Sequence, residues 1–65
     1  MLSPRQLEAL TLFARGASDK QVGRLLHISK YTVHHHLERA RERLGASHTA
    51  HAIAVAIRLG LIDLD

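Results

Sequence analysis

Residues 18 to 45 read SDKQVGRLLHISKYTVHHHLERARERLG, and the fold turns on this stretch. Ser18 is a good side-chain N-cap, and Gln21 stands three positions on as its capping-box partner. Val22, Leu25 and Leu26 then form an apolar stripe of helical period. A second helix follows the cap Ser29. Its Val33, Leu37, Ala40 and Leu44 recur at i, i+4, i+7 and i+11, which is a single inward stripe. Gly45 stops it. Only His27, Ile28 and Ser29 separate the two helices. Histidine tolerates a left-handed backbone better than most residues, so His27 can close the shorter helix where glycine is usual.

The same punctuation extends both ways. Upstream, Ser3 is a cap, Pro4 fits the first helical position, and Gln6 completes a Ser-x-x-Gln box. Leu2 and Leu7 stand at the positions of a hydrophobic staple. Leu7, Leu10 and Ala14 share one face with Phe13 beside them, and Gly16 ends the helix. Downstream, a last helix starts after Ser47 and runs to Leu59, before Gly60. The expected helices are 4–15, 19–26, 30–44 and 48–59, in one domain spanning 1–65. No segment alternates with period two. The expected class is all-α, a tetrahelical helix-turn-helix domain. Gly23 falls inside the second helix at a cost of roughly 1 kcal/mol relative to Ala. Either a neighbour approaches closely there, or a weak residue is tolerated.

Composition narrows the function. At 65 residues the chain holds one domain at most. It has no cysteine, so neither a disulfide framework nor a thiolate metal site is available. No apolar run approaches the roughly 20 residues that span a bilayer, and no signal peptide is evident, so a cytoplasmic protein without membrane contact is expected. The formal net charge is +3. Arg15, Lys20, Arg24, Lys30, Arg39, Arg41 and Arg43 face only Asp19, Glu38 and Glu42 in the central stretch, before the chain turns acidic at Asp63 and Asp65. A basic centre suits a polyanion. By itself it equally suits a solvated surface of mixed charge.

The third helix carries the distinguishing chemistry. With its stripe inward at about 100° per residue, Tyr31, His34, His35, Glu38 and Glu42 point outward. Lys30 and Arg41 flank one side; Thr32, Arg39 and Arg43 flank the other, with His36 at the border of the core. Base-edge readers between phosphate neutralisers is the layout a groove-inserted helix needs. Imidazole can donate or accept toward bases, Glu38 can accept from a cytosine amino group, and Tyr31 can touch a thymine methyl or a phosphate oxygen. Histidine changes charge between about pH 5 and 8, so histidine readers would bind more tightly as pH falls.

Other chemistries fare worse. His34, His35 and His36 diverge around the helix, and His48 with His51 lacks a third ligand, so no metal and no cofactor are expected. There is no nucleophile elbow, phosphate-cradling loop or carboxylate pair for acid–base work, so no enzyme is expected. A histidine-metal hydrolase and a protein-interaction module are the rivals to a DNA reader.

The last helix has two apolar faces. Ala50, Ile53, Ala54 and Ile57, with Leu61, form one. Ala52, Val55, Ala56 and Leu59 form the other. One face suffices for packing in a small domain. Setting the first face on the core leaves Ala52, Val55, Ala56 and Leu59 to pair with a second copy. The alternative is that alanines simply favour helix and need no partner. A two-fold dimer would set two reader helices one DNA turn apart on a palindrome.

From Leu2 to Ile62 the chain resembles the DNA-binding domain of LuxR-type, GerE-like transcriptional regulators. The likeness rests on Leu2-Ser3-Pro4-Arg5 with Glu8 and Leu10, and on Gly16-x-Ser18-x-Lys20-x-Val22. It continues in Ile28-Ser29-x-x-Thr32-Val33-x-x-His36-Leu37, Arg43-Leu44-Gly45 and Leu59-Gly60-Leu61-Ile62. The run Thr32 to Leu37, with Ala40 and Leu44-Gly45-Ala46, is most similar to the quorum-sensing branch. The resemblance implies double-stranded DNA as partner, a homodimer through the last helix, and action on RNA polymerase. It places any signal ligand in a separate N-terminal domain. It also implies base readers at His34, His35 and Glu38, with phosphate contacts from Lys20, Lys30, Thr32, Arg39 and Tyr31; the expected site adds Tyr31 to the base readers and His36 to the phosphate contacts. Glu8 corresponds to a buried scaffold acid. Four places depart from the usual pattern: Gln6 for Glu, His27 for Gly, His34 and Glu38 where cations are common, and His48-Thr49-Ala50 for Asn-Arg-Thr.

Overall fold

The computed structural model describes residues 1–64, and Asp65 lies outside the described residues. Four helices follow in order: α1 (Pro4–Ala14), α2 (Asp19–Leu26), α3 (Lys30–Arg43) and α4 (Thr49–Arg58). Every end falls within one residue of the sequence expectation, and no strand occurs among the described residues.

The caps explain this agreement. Ser3 and Ser18 each accept from the backbone N–H three residues on, at 3.2 Å. Gln6 and Gln21 return the bond, accepting from the cap N–H groups at 3.1 and 2.8 Å. Ser29 Oγ caps α3 by accepting from Thr32 N–H at 3.0 Å. At α4 the cap is one residue later than expected: His48, not Ser47. His48 Nδ1 accepts from His51 N–H at 3.2 Å, and His51 Nδ1 accepts from Ser47 N–H at 3.3 Å. A neutral imidazole nitrogen offers a lone pair at a reach that serves where a serine oxygen would, and two histidines close the box.

The turn between α2 and α3 is tight. His27 takes the left-handed conformation, φ 59° and ψ 42°. Ile28 N–H then donates to Gly23 O at 2.9 Å. A Cβ on Gly23 would lie 2.8 Å from the Ile28 carbonyl oxygen. Close approach, not tolerance, therefore explains the glycine, and the backbone of the turn is what approaches.

The core joins all four helices, with α3 touching each of the others. Leu10, Val22 and Val33 are its largest fully buried side chains. Ala9, Ala40, Ala52 and Ala56 are fully buried with them. Val33, Leu37 and Ala40 face inward as the stripe requires.

Three expectations are corrected here. Ala52, Val55 and Ala56 belong to the buried side of α4, so these three cannot form a dimer surface; of that set only Leu59 is exposed. Ala50 and Ala54 face solvent instead, and Ile57 is 42% exposed. Small side chains let α4 settle closely against α1 and α3, which selects the alanine-rich face over the isoleucine face. Second, Leu25 is 60% exposed, because α2 turns Val22, Gly23 and Leu26 inward. Third, Glu8 is exposed and lies 3.6 Å from Arg5, while the buried polar side chain of α1 is Gln6. After Gly60 the chain doubles back: Leu61 N–H donates to Ala56 O at 2.9 Å, and Ile62 is buried.

Candidate nucleic-acid interface

The outward face of α3 is built by its phase. Because Val33, Leu37 and Ala40 are buried, Tyr31, His34, His35 and Glu38 are all exposed, Tyr31 by 81%. Tyr31, His34, His35 and Glu38 line one open depression of ≈ 420 Å³ together with Asp19 and Phe13. The reader set expected from sequence is thus brought together on one surface.

The cations divide into two groups. Arg43 Nη1 donates to Met1 O at 2.6 Å, and Arg41 Nη1 to Ser47 O at 3.4 Å. Arg41 also lies 3.9 Å from Glu38. These two arginines tie down the flanks of the domain. Lys20, Lys30 and Arg39 are exposed, and among the described residues none has an ion-pair or hydrogen-bond partner. Arg24 of the basic centre shares that condition on α2, although it was not among the expected phosphate contacts. Free cations beside a polar helix face are available to phosphate oxygens.

The remaining expected phosphate ligands sit closer in. Thr32 is half-buried, with its hydroxyl 3.0 Å from Ser29 Oγ in the cap of α3. His36 is half-buried at the rim of the core.

His34 is not a free reader. Its Nε2 lies 2.7 Å from Oδ2 of Asp19, the first residue of α2. Sequence reasoning counted Asp19 only as one acid among the cations. Fifteen positions separate the two residues, and no periodicity links residues on different helices. The one available signal was Asp19 at a helix N-terminus, where an acid is favoured for another reason.

No group of three or more His, Cys, Asp or Glu side chains comes together among the described residues to hold a metal ion. No helix among them is long and apolar enough to cross a membrane.

A tight α2–turn–α3 pair, braced by two further helices and presenting a polar face with exposed cations, defines a tetrahelical helix-turn-helix domain of the DNA-binding class. Its backbone matches a solved structure described as transcription factor GerE with a TM-score of 0.93 at 36% identity, covering 98% of this chain and 96% of that one. Residues 1–56 match the family described as bacterial regulatory proteins, luxR family. Over 62 residues the chain is 39% identical to the transcriptional activator protein BjaR1 of Bradyrhizobium diazoefficiens, covering 95% of this chain and 26% of that protein. Over 64 residues it is 34% identical to the quorum sensing-dependent transcriptional regulator VjbR of Brucella abortus, covering 98% of this chain and 25% of that one. The chain belongs to the luxR family of bacterial regulatory proteins and is a helix-turn-helix DNA-binding domain of that family. It spans about a quarter of the length of the curated relatives it matches.

Proposed function

We propose that this domain binds a specific double-stranded DNA site with α3 in the major groove, as the effector part of a bacterial transcription regulator. The observation that carries this reading is the division of cations. Arg41 and Arg43 are spent on backbone carbonyls, while Lys20, Lys30 and Arg39, exposed as Tyr31, His35 and Glu38 are, have no partner among the described residues. In this reading Tyr31, His34, His35 and Glu38 meet base edges. Lys20, Lys30, Arg39, Thr32 and His36 meet the phosphate backbone and fix register.

Two copies would bind a palindrome, with reader helices about 34 Å apart. Since Ala52, Val55 and Ala56 are inside the domain, the contact between copies falls to the exposed Leu59 and Ile57. By analogy with relatives described as an activator and as quorum sensing-dependent, the whole regulator would act on RNA polymerase at promoters in the cytoplasm. A signal ligand would bind a separate N-terminal domain. The domain itself would use no cofactor and catalyse nothing.

Selection of bound sequences from random duplex DNA tests this directly. An enriched palindromic motif is expected, with binding that falls steeply as salt rises, by a log–log slope of about −0.9 per phosphate neutralised. No enriched motif together with a flat salt response would overturn the reading in favour of a protein-interaction module.

A further inference from the structure

The exposed face of α3 meets one acid from outside its own helix, and that acid is placed on a would-be base reader. Asp19 begins α2 and its side chain is 25% exposed; the His34 side chain is 61% exposed on α3. Asp19 Oδ2 and His34 Nε2 stand 2.7 Å apart. A carboxylate offers only acceptors. Two lone pairs do not meet at this distance, so the shared proton sits on Nε2, which donates to Asp19.

We propose that Asp19 is a positioning residue for base selection: it fixes the His34 ring with Nε2–H toward α2 and leaves Nδ1 as the atom offered to DNA. This rests on the reading of α3 as the groove helix. A free imidazole is ambivalent, since either nitrogen can carry the proton and the ring can flip. It can therefore satisfy a donor or an acceptor on a base edge and discriminates poorly. Held by Asp19, neutral His34 has only one polar atom left, an acceptor. That atom suits the amino group of adenine or cytosine in the major groove and rejects the acceptor pair of guanine. When His34 is protonated, the same atom becomes a donor and its preference inverts toward guanine.

The other groups around the ring do not compete for Nε2. Tyr31, His35, Glu38 and Arg41 line the depression from α3 itself. Phe13 of α1 and Thr49 of α4 complete it without charge. Lys30 lies one turn before His34 and has no partner among the described residues. Among the described residues, Asp19 is the one carboxylate within ion-pair distance of His34.

An acid at the start of α2 also favours the helix dipole, so the test needs readouts that this structural role would not move. The first is the imidazole 15N spectrum of the free, histidine-labelled domain, which reports the protonated ring nitrogen. In the neutral form, His34 is expected to be protonated at Nε2, and Asp19→Asn is expected to give a mixture of tautomers. The second is a series of single-base substitutions in the selected DNA site. Wild type should discriminate about tenfold or more at the base pair met by His34, the size of one good base contact. Asp19→Asn should reduce discrimination there to below about threefold and leave the other positions unchanged. Asp19→Asn combined with His34→Ala should be no worse at that position than His34→Ala alone. An Nδ1-protonated His34 in the free domain overturns the proposal, as does an unchanged or uniformly weakened discrimination profile in Asp19→Asn. If wild type selects no sequence, the groove reading itself fails, and the ring spectra then stand as a separate result on whether Asp19 holds His34.

Discussion

The helices α3 and α4 pack on the same core by opposite devices. From α3 come the branched side chains Val33 and Leu37, with polar residues left outside. From α4 come mainly Ala52 and Ala56 with Val55, while the larger Ile57 and Leu59 stay in solvent. The difference teaches that the buried face of a helix is the one that permits the closest approach, which is not always its most hydrophobic face. Helix α2 repeats the lesson by burying Gly23 and exposing Leu25. In a domain this small, close approach of the helices puts the most atoms in contact for the fewest residues.

The sharpest way to break this contrast is a pair of charges on α4. Ala56→Glu would bury a carboxylate with no partner, at a cost of several kcal/mol, comparable with the roughly 3–10 kcal/mol that stabilises a domain of this size. It should abolish the cooperative thermal transition. Ala54→Glu, two residues away and about 200° around the helix, should leave stability within about 0.5 kcal/mol. The reverse result in circular dichroism melts would restore the isoleucine face to the core.

Gly23→Ala comes next. Helix propensity alone would reward the change by roughly 1 kcal/mol. The 2.8 Å approach of the added Cβ to the Ile28 carbonyl opposes it. Overpacking of this kind costs about 1–3 kcal/mol, so net destabilisation is expected in urea titration, and a stabilised variant would sink the account of the turn.

At the start of α4, His48→Ala should cost about 0.5–2 kcal/mol as a lost cap, and His48→Asn should restore it. Equal melting of wild type and His48→Ala would remove the histidine box from the account. The smallest effect on stability belongs to the solvent side. Ile57→Ser with Leu59→Ser should change unfolding free energy by less than about 0.5 kcal/mol. The same change should abolish cooperative binding to two half-sites while leaving single half-site binding intact. Cooperativity that survives would place the contact between copies elsewhere.

The residues also show why some of this was legible beforehand and some was not. Serine caps, glycine stops and the polar–apolar contrast of α3 are local signals. They gave the helices to within a residue and turned Tyr31, His35 and Glu38 outward together. In α4 both faces are apolar, so periodicity found the helix and could not orient it. Setting the isoleucine face on the core chose the wrong side, and in α2 the helical period counted Leu25 into a stripe that leaves it exposed. The contact between Asp19 and His34 joins two helices, and only the packing of α2 on α3 brings it about.

Ile62 carries a consequence for where this unit can be cut. The family match ends at residue 56, and α4 ends at Arg58. Yet Ile62 is only 3% exposed, and the backbone at Leu61 and Ile62 is bonded back to Ala56. The segment beyond α4 is therefore a lid on the alanine floor rather than a tail. A fragment trimmed at the last helical turn would lose that lid, and a fusion partner joined there would inherit an open core. A portable version of this domain has to run through Ile62.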